Sequence, residues 1–293
     1  MKPAAFKYFA PRDEGELIAL MSEHGDDARI LAGGQSLVPM MNFRVVSPAV
    51  VIDINRIGSL DFVTSSPDTV TVGALTRHAA FEDTPALREG IPLAAEAVSY
   101  LAHRAVRNRG TIGGSLALAY PNAELPLLLT TLGGSVRLRS KAGDRRLPIA
   151  EFITGPLDSA LAEDEFIYAA ELPLPPQGAG MAFNEVSRRH GDFAMAAAGA
   201  VLTLDDDNRI LSLKAAISGG EGFPIRASLV EEHLIGQTTE TIWLADASRA
   251  MIDSIDVDGD VHTPTGYRRL LLTTVLQRAL ETAAKRAEAA RVG

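Results

Sequence analysis

Apolar positions in the first half of the chain fall in short clusters, separated by polar and glycine-rich stretches, in an order that alternates strand and helix. Over residues 13–24, Leu17, Ile18, Leu20 and Met21 recur at helical spacing and Gly25 closes the run, which predicts a helix. Residues 29–31, the β-branched run 50–54 and the alternating run 69–74 predict three short strands. Residues 92–106 read as a further helix whose basic end, His103, Arg104 and Arg107, suits the negative pole of a helix dipole. Residues 136–139 alternate, Lys141-Ala142-Gly143-Asp144 turn and 145–147 return, a hairpin. The Pro-rich stretch 172–178 is the best boundary, dividing the chain into domains 1–176 and 177–293. Beyond it, runs 197–204 and 210–218 flank Asp205-Asp206-Asp207-Asn208 as a second hairpin. From Ala227 the pattern is mostly helical, closing with a helix over 270–290.

Composition narrows the function. The 293 residues carry a net charge of −9 and no long basic run, which argues against nucleic acid as the partner. The longest apolar run, around 194–204, is too short for the roughly 18 residues of a membrane span. The N-terminal residues 1–7 hold no secretory apolar region, so a cytoplasmic protein is expected. With no cysteine, the chain can hold no disulfide, iron–sulfur cluster or thiolate zinc site, and has no thiol nucleophile. No metal site is expected from its scattered histidines either; His78 and His190 read as structural. Asp205-Asp206-Asp207-Asn208 lacks the central glycine and distal glutamate of a calcium loop and reads as a turn.

Two glycine loops carry the candidate chemistry: Ala32-Gly33-Gly34-Gln35-Ser36, directly after a strand, and Gly110-Thr111-Ile112-Gly113-Gly114-Ser115. Adjacent glycines bring backbone N–H groups together with no Cβ in the way, and the hydroxyls of Ser36, Thr111 and Ser115 add donors, a chemistry suited to a diphosphate. Either loop alone also reads as a tight turn. Neither is a P-loop, since no lysine follows the glycines, and neither has the GxGxxG spacing of a Rossmann nucleotide site.

In sequence, 32–39 (AGGQSLVP) resembles the first flavin loop of the FAD-binding medium subunits of the molybdenum hydroxylases, the family of xanthine, carbon monoxide and nicotine dehydrogenases. Residues 107–126, with Arg107-Asn108-Arg109-Gly110-Thr111-Ile112-Gly113-Gly114-Ser115 and Pro121-Asn122-Ala123-Glu124-Leu125-Pro126, resemble its second flavin motif. Residues 185–194 resemble its ExxRRxGDxA motif, and Gly219-Gly220, Pro224-Ile225-Arg226, Glu231 and Leu234-Ile235-Gly236 its C-terminal domain. The resemblance implies an α+β fold, a two-subdomain FAD-binding domain of the PCMH type followed by a small α+β C-terminal domain. It places FAD contacts on Ala32, Gly33, Gly34, Gln35, Ser36 and Leu37, and on Thr111, Ile112, Gly113, Gly114 and Ser115. It adds Glu124 as an acidic flavin contact, Leu161 beside the flavin, and Phe193 in an aromatic slot, where packing over the flavin ring competes with plain core packing. Leu118 and Tyr120 replace the histidine and aspartate common in the family, leaving a less polar wall, and Asn184 stands where some relatives have a lysine.

The resemblance also implies a division of labour. A large subunit would hold the molybdenum cofactor, a small subunit two [2Fe–2S] clusters, and this chain FAD, passing electrons from the clusters to a terminal acceptor. The lack of cysteine suits clusters held in another chain. No residue here need act as nucleophile or base, so no catalytic residue is expected, and with Gln35 rather than histidine in the loop the FAD should be noncovalent. The alternatives are a self-sufficient flavin oxidoreductase of related fold and a nucleotide-binding protein without redox activity.

Overall fold

Three short parallel strands open the fold, with Val50–Asp53 between Lys7–Phe9 and Ala28–Leu31. This computed structural model describes residues 1–261 and 263–292, without the side chains of Thr241, Ile242 and Val292. The helix Glu14–His24 starts at Asp13, whose carboxylate accepts the Glu16 N–H at 2.9 Å, and shares a buried cluster, through Leu17 and Met21, with Val50, Ile52 and Ile54. Because the strands are parallel, the loops leaving Leu31 and Asp53 emerge from the same edge of the sheet, the edge where α/β proteins usually bind ligands.

A five-stranded antiparallel sheet follows, ordered Val63–Ser65, Thr69–Gly73, Phe166–Pro173, Ser135–Ser140 and Gly143–Pro148. The last two are the expected hairpin, closed at Ser140↔Gly143. The helices Pro92–Tyr100, Ile112–Leu118 and Glu124–Leu132 share one buried core with Val70, Val72, Val136 and Ile167 of this sheet.

The helix expected over 92–106 stops at Tyr100. Leu101 is extended, Ala102 takes a left-handed φ of 44°, and a separate short helix runs Arg104–Arg107. The half-buried Arg107 guanidinium holds the break, donating to the Leu101 and Ala102 carbonyls at 3.0 and 2.9 Å and pairing with Glu82. Arg104 pairs with Glu82 and Asp83. These cations therefore tie a bend to a neighbouring acidic helix rather than closing one long helix.

The second half is a four-stranded antiparallel sheet in the order Gly180–Ser187, Ala194–Leu204, Ile210–Ser218 and Ile225–Arg226. The expected turn at 205–208 forms, with the Asp205 carboxylate accepting the Asp207 and Arg209 N–H groups. The alanine-rich strand Ala194–Leu204 serves two cores by its period of two. Ala197 and Val201 belong to the core of the first half, whereas Ala196, Ala198, Ala200 and Leu202 meet the helices Ser228–Leu234, Thr241–Asp253 and the 28-residue Thr265–Val292. The mix of a small parallel sheet, two antiparallel sheets and helices packed against them is the expected α+β architecture. Among the described residues no helix is long and apolar enough to cross a membrane.

Candidate functional site

The first glycine loop leaves the parallel sheet at Leu31. Gly34 has φ +72°, a conformation that suits glycine, and the loop passes into the short helix Leu37–Asn42. The Gln35 side-chain amide folds back to donate to the Gly33 carbonyl at 3.1 Å, and Asn55, from the next strand's exit, donates to the Ala32 carbonyl at 2.8 Å. The carbonyls at the base of the loop are thus held. The backbone N–H groups of Gly33, Gly34, Gln35 and Ser36 donate to no acceptor among the described residues, and neither does the half-buried Ser36 hydroxyl.

The second loop lies directly against the first. Gly33 is buried, and a Cβ there would collide with the Arg109 carbonyl and stand 2.8 Å from the Gly110 Cα. Here most N–H groups are already spent. Ile112 donates to the Thr76 carbonyl at 3.1 Å and Gly113 to that of Ala74 at 3.0 Å. Gly114 donates to the Thr111 hydroxyl at 3.1 Å and Ser115 to its carbonyl at 3.0 Å. Thr111 is thereby the N-cap of the helix Ile112–Leu118. What this loop offers a ligand is the Ser115 hydroxyl, unpartnered among the described residues, and the open surface at exposed Gly114. Among the described residues, the first loop keeps its donors free and the second buttresses it.

Arg77 locks the pair together, donating to the Arg109 carbonyl at 2.5 Å and to the Asn55 Oδ1 at 2.7 Å. Its guanidinium and that of exposed Arg109 bring positive charge to an acidic protein at this place. His78 lies beneath Gly110 and is buried; desolvation, outweighing the Thr111 backbone beside it, pushes it down to about 4, so it is neutral.

The remaining predicted residues lie farther along the chain. Phe193 is exposed, and its ring stands 4.1 Å from that of Tyr120 at an interplanar angle of 31°. The aromatic slot and the replaced wall position therefore form one aromatic pair. Glu124, the first residue of the helix Glu124–Leu132, is buried, and desolvation raises it to about 7. Leu161 packs half-buried against the core of the first half.

Sequence reasoning left Glu185 without a role. It sits on the strand Gly180–Ser187 with both carboxylate oxygens buried and unpartnered among the described residues, and desolvation first, then the nearby Glu124 charge, push it up to about 8. Its position within the ExxRRxGDxA motif was visible, but a strand glutamate carries no signal of burial.

Free amides on a loop held at a sheet edge, flanking arginines, an exposed aromatic pair and buried carboxyls fit a nucleotide cofactor with an anionic diphosphate and a planar ring. The comparisons decide which kind. Residues 4–175 match the FAD-binding domain of molybdopterin dehydrogenases, and residues 181–283 the C-terminal domain of carbon monoxide dehydrogenase flavoproteins. The chain belongs to this FAD-binding molybdopterin dehydrogenase family. It is 41% identical to the caffeine dehydrogenase subunit beta of Pseudomonas sp. (strain CBB1), over 98% of this chain and 97% of that protein. It is 38% identical to the 6-hydroxypseudooxynicotine dehydrogenase complex subunit alpha of Paenarthrobacter nicotinovorans, over the same shares. The crystal structure of quinoline 2-oxidoreductase from Pseudomonas putida 86 matches with a TM-score of 0.94 and 33% identity, covering 98% of this chain and 99% of that one. The two family models thus cover both halves of the chain, in order.

Proposed function

We propose that the chain is the FAD-carrying electron-transfer subunit of a molybdenum hydroxylase, with FAD held noncovalently across the two glycine loops. The observation that carries this reading is the seating of Gly33 against Arg109 and Gly110, which sets four unspent N–H groups beside the second loop. In this reading the Gly33–Ser36 amides and the Ser36 and Ser115 hydroxyls bind the diphosphate, and Arg77 and Arg109 offset its charge. Gly114 leaves space where a side chain would press on it. Glu124, Leu161 and Phe193 surround the rest of the nucleotide, with Phe193 and Tyr120 offering a flat apolar surface to a ring.

Bound FAD would supply the conversion between one-electron and two-electron transfer. The protein's own part is to hold the nucleotide rigidly, to shield it from water along the seam between the two halves, and to set its charge surroundings. Substrate hydroxylation would belong to a large molybdenum-cofactor subunit and electron delivery to a small [2Fe–2S] subunit, because this chain has no cysteine to hold a cluster. Two relatives are subunits of a caffeine dehydrogenase and of a 6-hydroxypseudooxynicotine dehydrogenase complex, which supports an N-heteroaromatic substrate for the assembled enzyme.

Purification of the chain alone tests the reading. A flavin spectrum at close to one FAD per chain, with all flavin released by acid precipitation, is expected. A chain that binds no flavin, or one whose flavin is bleached by an organic substrate with no other subunit present, contradicts it.

A further inference from the structure

The parallel sheet brings a second polar group to the edge from which the first glycine loop leaves. Leu31 and Asp53 are register partners at the ends of adjacent parallel strands, joined through the short helix Leu37–Asn42. One nitrogen ties the two exits: Asn55 Nδ2 donates to Asp53 Oδ1 at 2.6 Å and to the Ala32 carbonyl, at the base of the loop, at 2.8 Å. The Asn55 N–H gives Oδ1 a further donor at 2.9 Å. From the neighbouring strand, the exposed Tyr8 donates its hydroxyl to Asp53 Oδ2 at 2.6 Å. Partial burial works against the charge, but the Tyr8 hydroxyl, the two Asn55 donors and the Arg56 charge outweigh it and hold Asp53 below the usual carboxylate range. Asp53 is thus a half-buried anion fixed beside a loop whose free amides suit phosphate. A carboxylate repels phosphate and accepts from hydroxyls.

We propose that Asp53 and Tyr8 bind the two vicinal hydroxyls of the ribose in the adenosine half of FAD. This rests on the flavin reading above and adds to it the end of the nucleotide remote from the ring. Asp53 Oδ2 and the Tyr8 oxygen stand side by side at 2.6 Å, as the oxygens of a cis diol do, and each keeps a lone pair after their mutual hydrogen bond. Each ribose hydroxyl then donates to one of them. Contacts run from Asp53 through Asn55 to the first loop, from Gly33 to the second loop, and along the helix Ile112–Leu118 towards Tyr120 and Phe193. With the diphosphate on the first loop and the ring at the aromatic pair, the sugar that reaches Asp53 is the adenosine ribose rather than the ribityl chain. Dinucleotide sites built on a strand–helix–strand unit place an acidic residue about 20 residues beyond the glycine loop for the same hydroxyls. Asp53 holds that position after Gly33, although the loop lacks the GxGxxG spacing.

Titrations of the full, flavin-free chain with FAD and with its 2′,3′-dideoxyadenosine analogue, followed by flavin fluorescence, test it. The unaltered chain should bind FAD on the order of tenfold or more tightly than the analogue, because the analogue leaves an ionised acceptor without its donors. In Asp53→Asn that preference should fall to about threefold or less. A residue that only shaped the loop would weaken both ligands alike and leave their ratio unchanged. Competition by ADP and by FMN identifies the sugar: Asp53→Asn should weaken ADP more than FMN. Equal affinity for FAD and the analogue in the unaltered chain, an unchanged ratio in Asp53→Asn, or a loss for FMN as large as that for ADP overturns the proposal. Should Asp53→Asn not fold, Tyr8→Phe removes only an exposed hydroxyl and should also reduce the preference; an unchanged ratio there overturns the proposal equally. If the unaltered chain binds neither FAD nor ADP, the flavin reading fails and this proposal with it.

Discussion

Gly33 is packed face to face with the Arg109 carbonyl, so the two glycine loops form a single structural unit before any ligand is considered. A methyl group at position 33 has nowhere to go, because what it meets is backbone. Gly33→Ala should therefore lower the melting temperature and the flavin content together, measured by thermal denaturation and by flavin absorbance per chain. Normal stability with full flavin would show that the loops can separate without consequence.

Gly114 separates binding from folding. It is exposed, and a Cβ there would meet only the Thr111 hydroxyl, at 3.0 Å. Gly114→Val should keep the circular dichroism spectrum and most of the thermal stability of the unaltered chain while losing flavin, since the branched side chain would occupy the space assigned to the phosphates. Full flavin occupancy would remove Gly114 from the site.

Arg77 spans the two loop exits through the Arg109 carbonyl and Asn55. Removing a charged donor from two acceptors costs about 1.5–3 kcal/mol where the site is shielded from water. Arg77→Ala should weaken FAD binding on the order of tenfold or more in a titration of the apoprotein, and Arg77→Lys, which cannot bridge both acceptors in a fork, should recover little of it.

The buried, neutral His78 gives the fold an acid-side weakness. Its ordinary value of 6.5 is lowered to about 4 by desolvation, so between these values the unfolded chain takes a proton that the folded chain refuses. Stability is unaffected above that window and falls as the pH drops through it. In denaturant titrations at pH 7 and pH 5, His78→Leu should remove about 2 kcal/mol of the acid-induced loss seen in the unaltered protein. An identical loss in both proteins would place the weakness elsewhere.

Much of this was legible in the sequence because it is local. Strand 28–31 running straight into Gly33-Gly34, the hairpin at 135–148 and the turn at 205–208 each follow from alternation and turn residues within a few positions. The bend at Leu101–Ala102 was not, since no glycine or proline marks it and its support comes from Arg107 and Glu82 in space. The alanine run 194–204 showed itself as apolar but not as a strand shared by two cores. Within the candidate site, the glycine loops declared themselves, but the unequal state of their amides depends on Ala74 and Thr76, and the surroundings of Glu185 on helices remote in the chain that pack against its strand, Pro92–Tyr100 and Thr265–Val292.

The position of the diphosphate in a crystal structure of the flavin-loaded protein tests the account most directly. The account predicts phosphate oxygens within hydrogen-bond distance of the Gly33, Gly34, Gln35 and Ser36 N–H groups, with Gly114 and Ser115 on the other side. A flavin seated elsewhere, with those four amides facing only water, would contradict it.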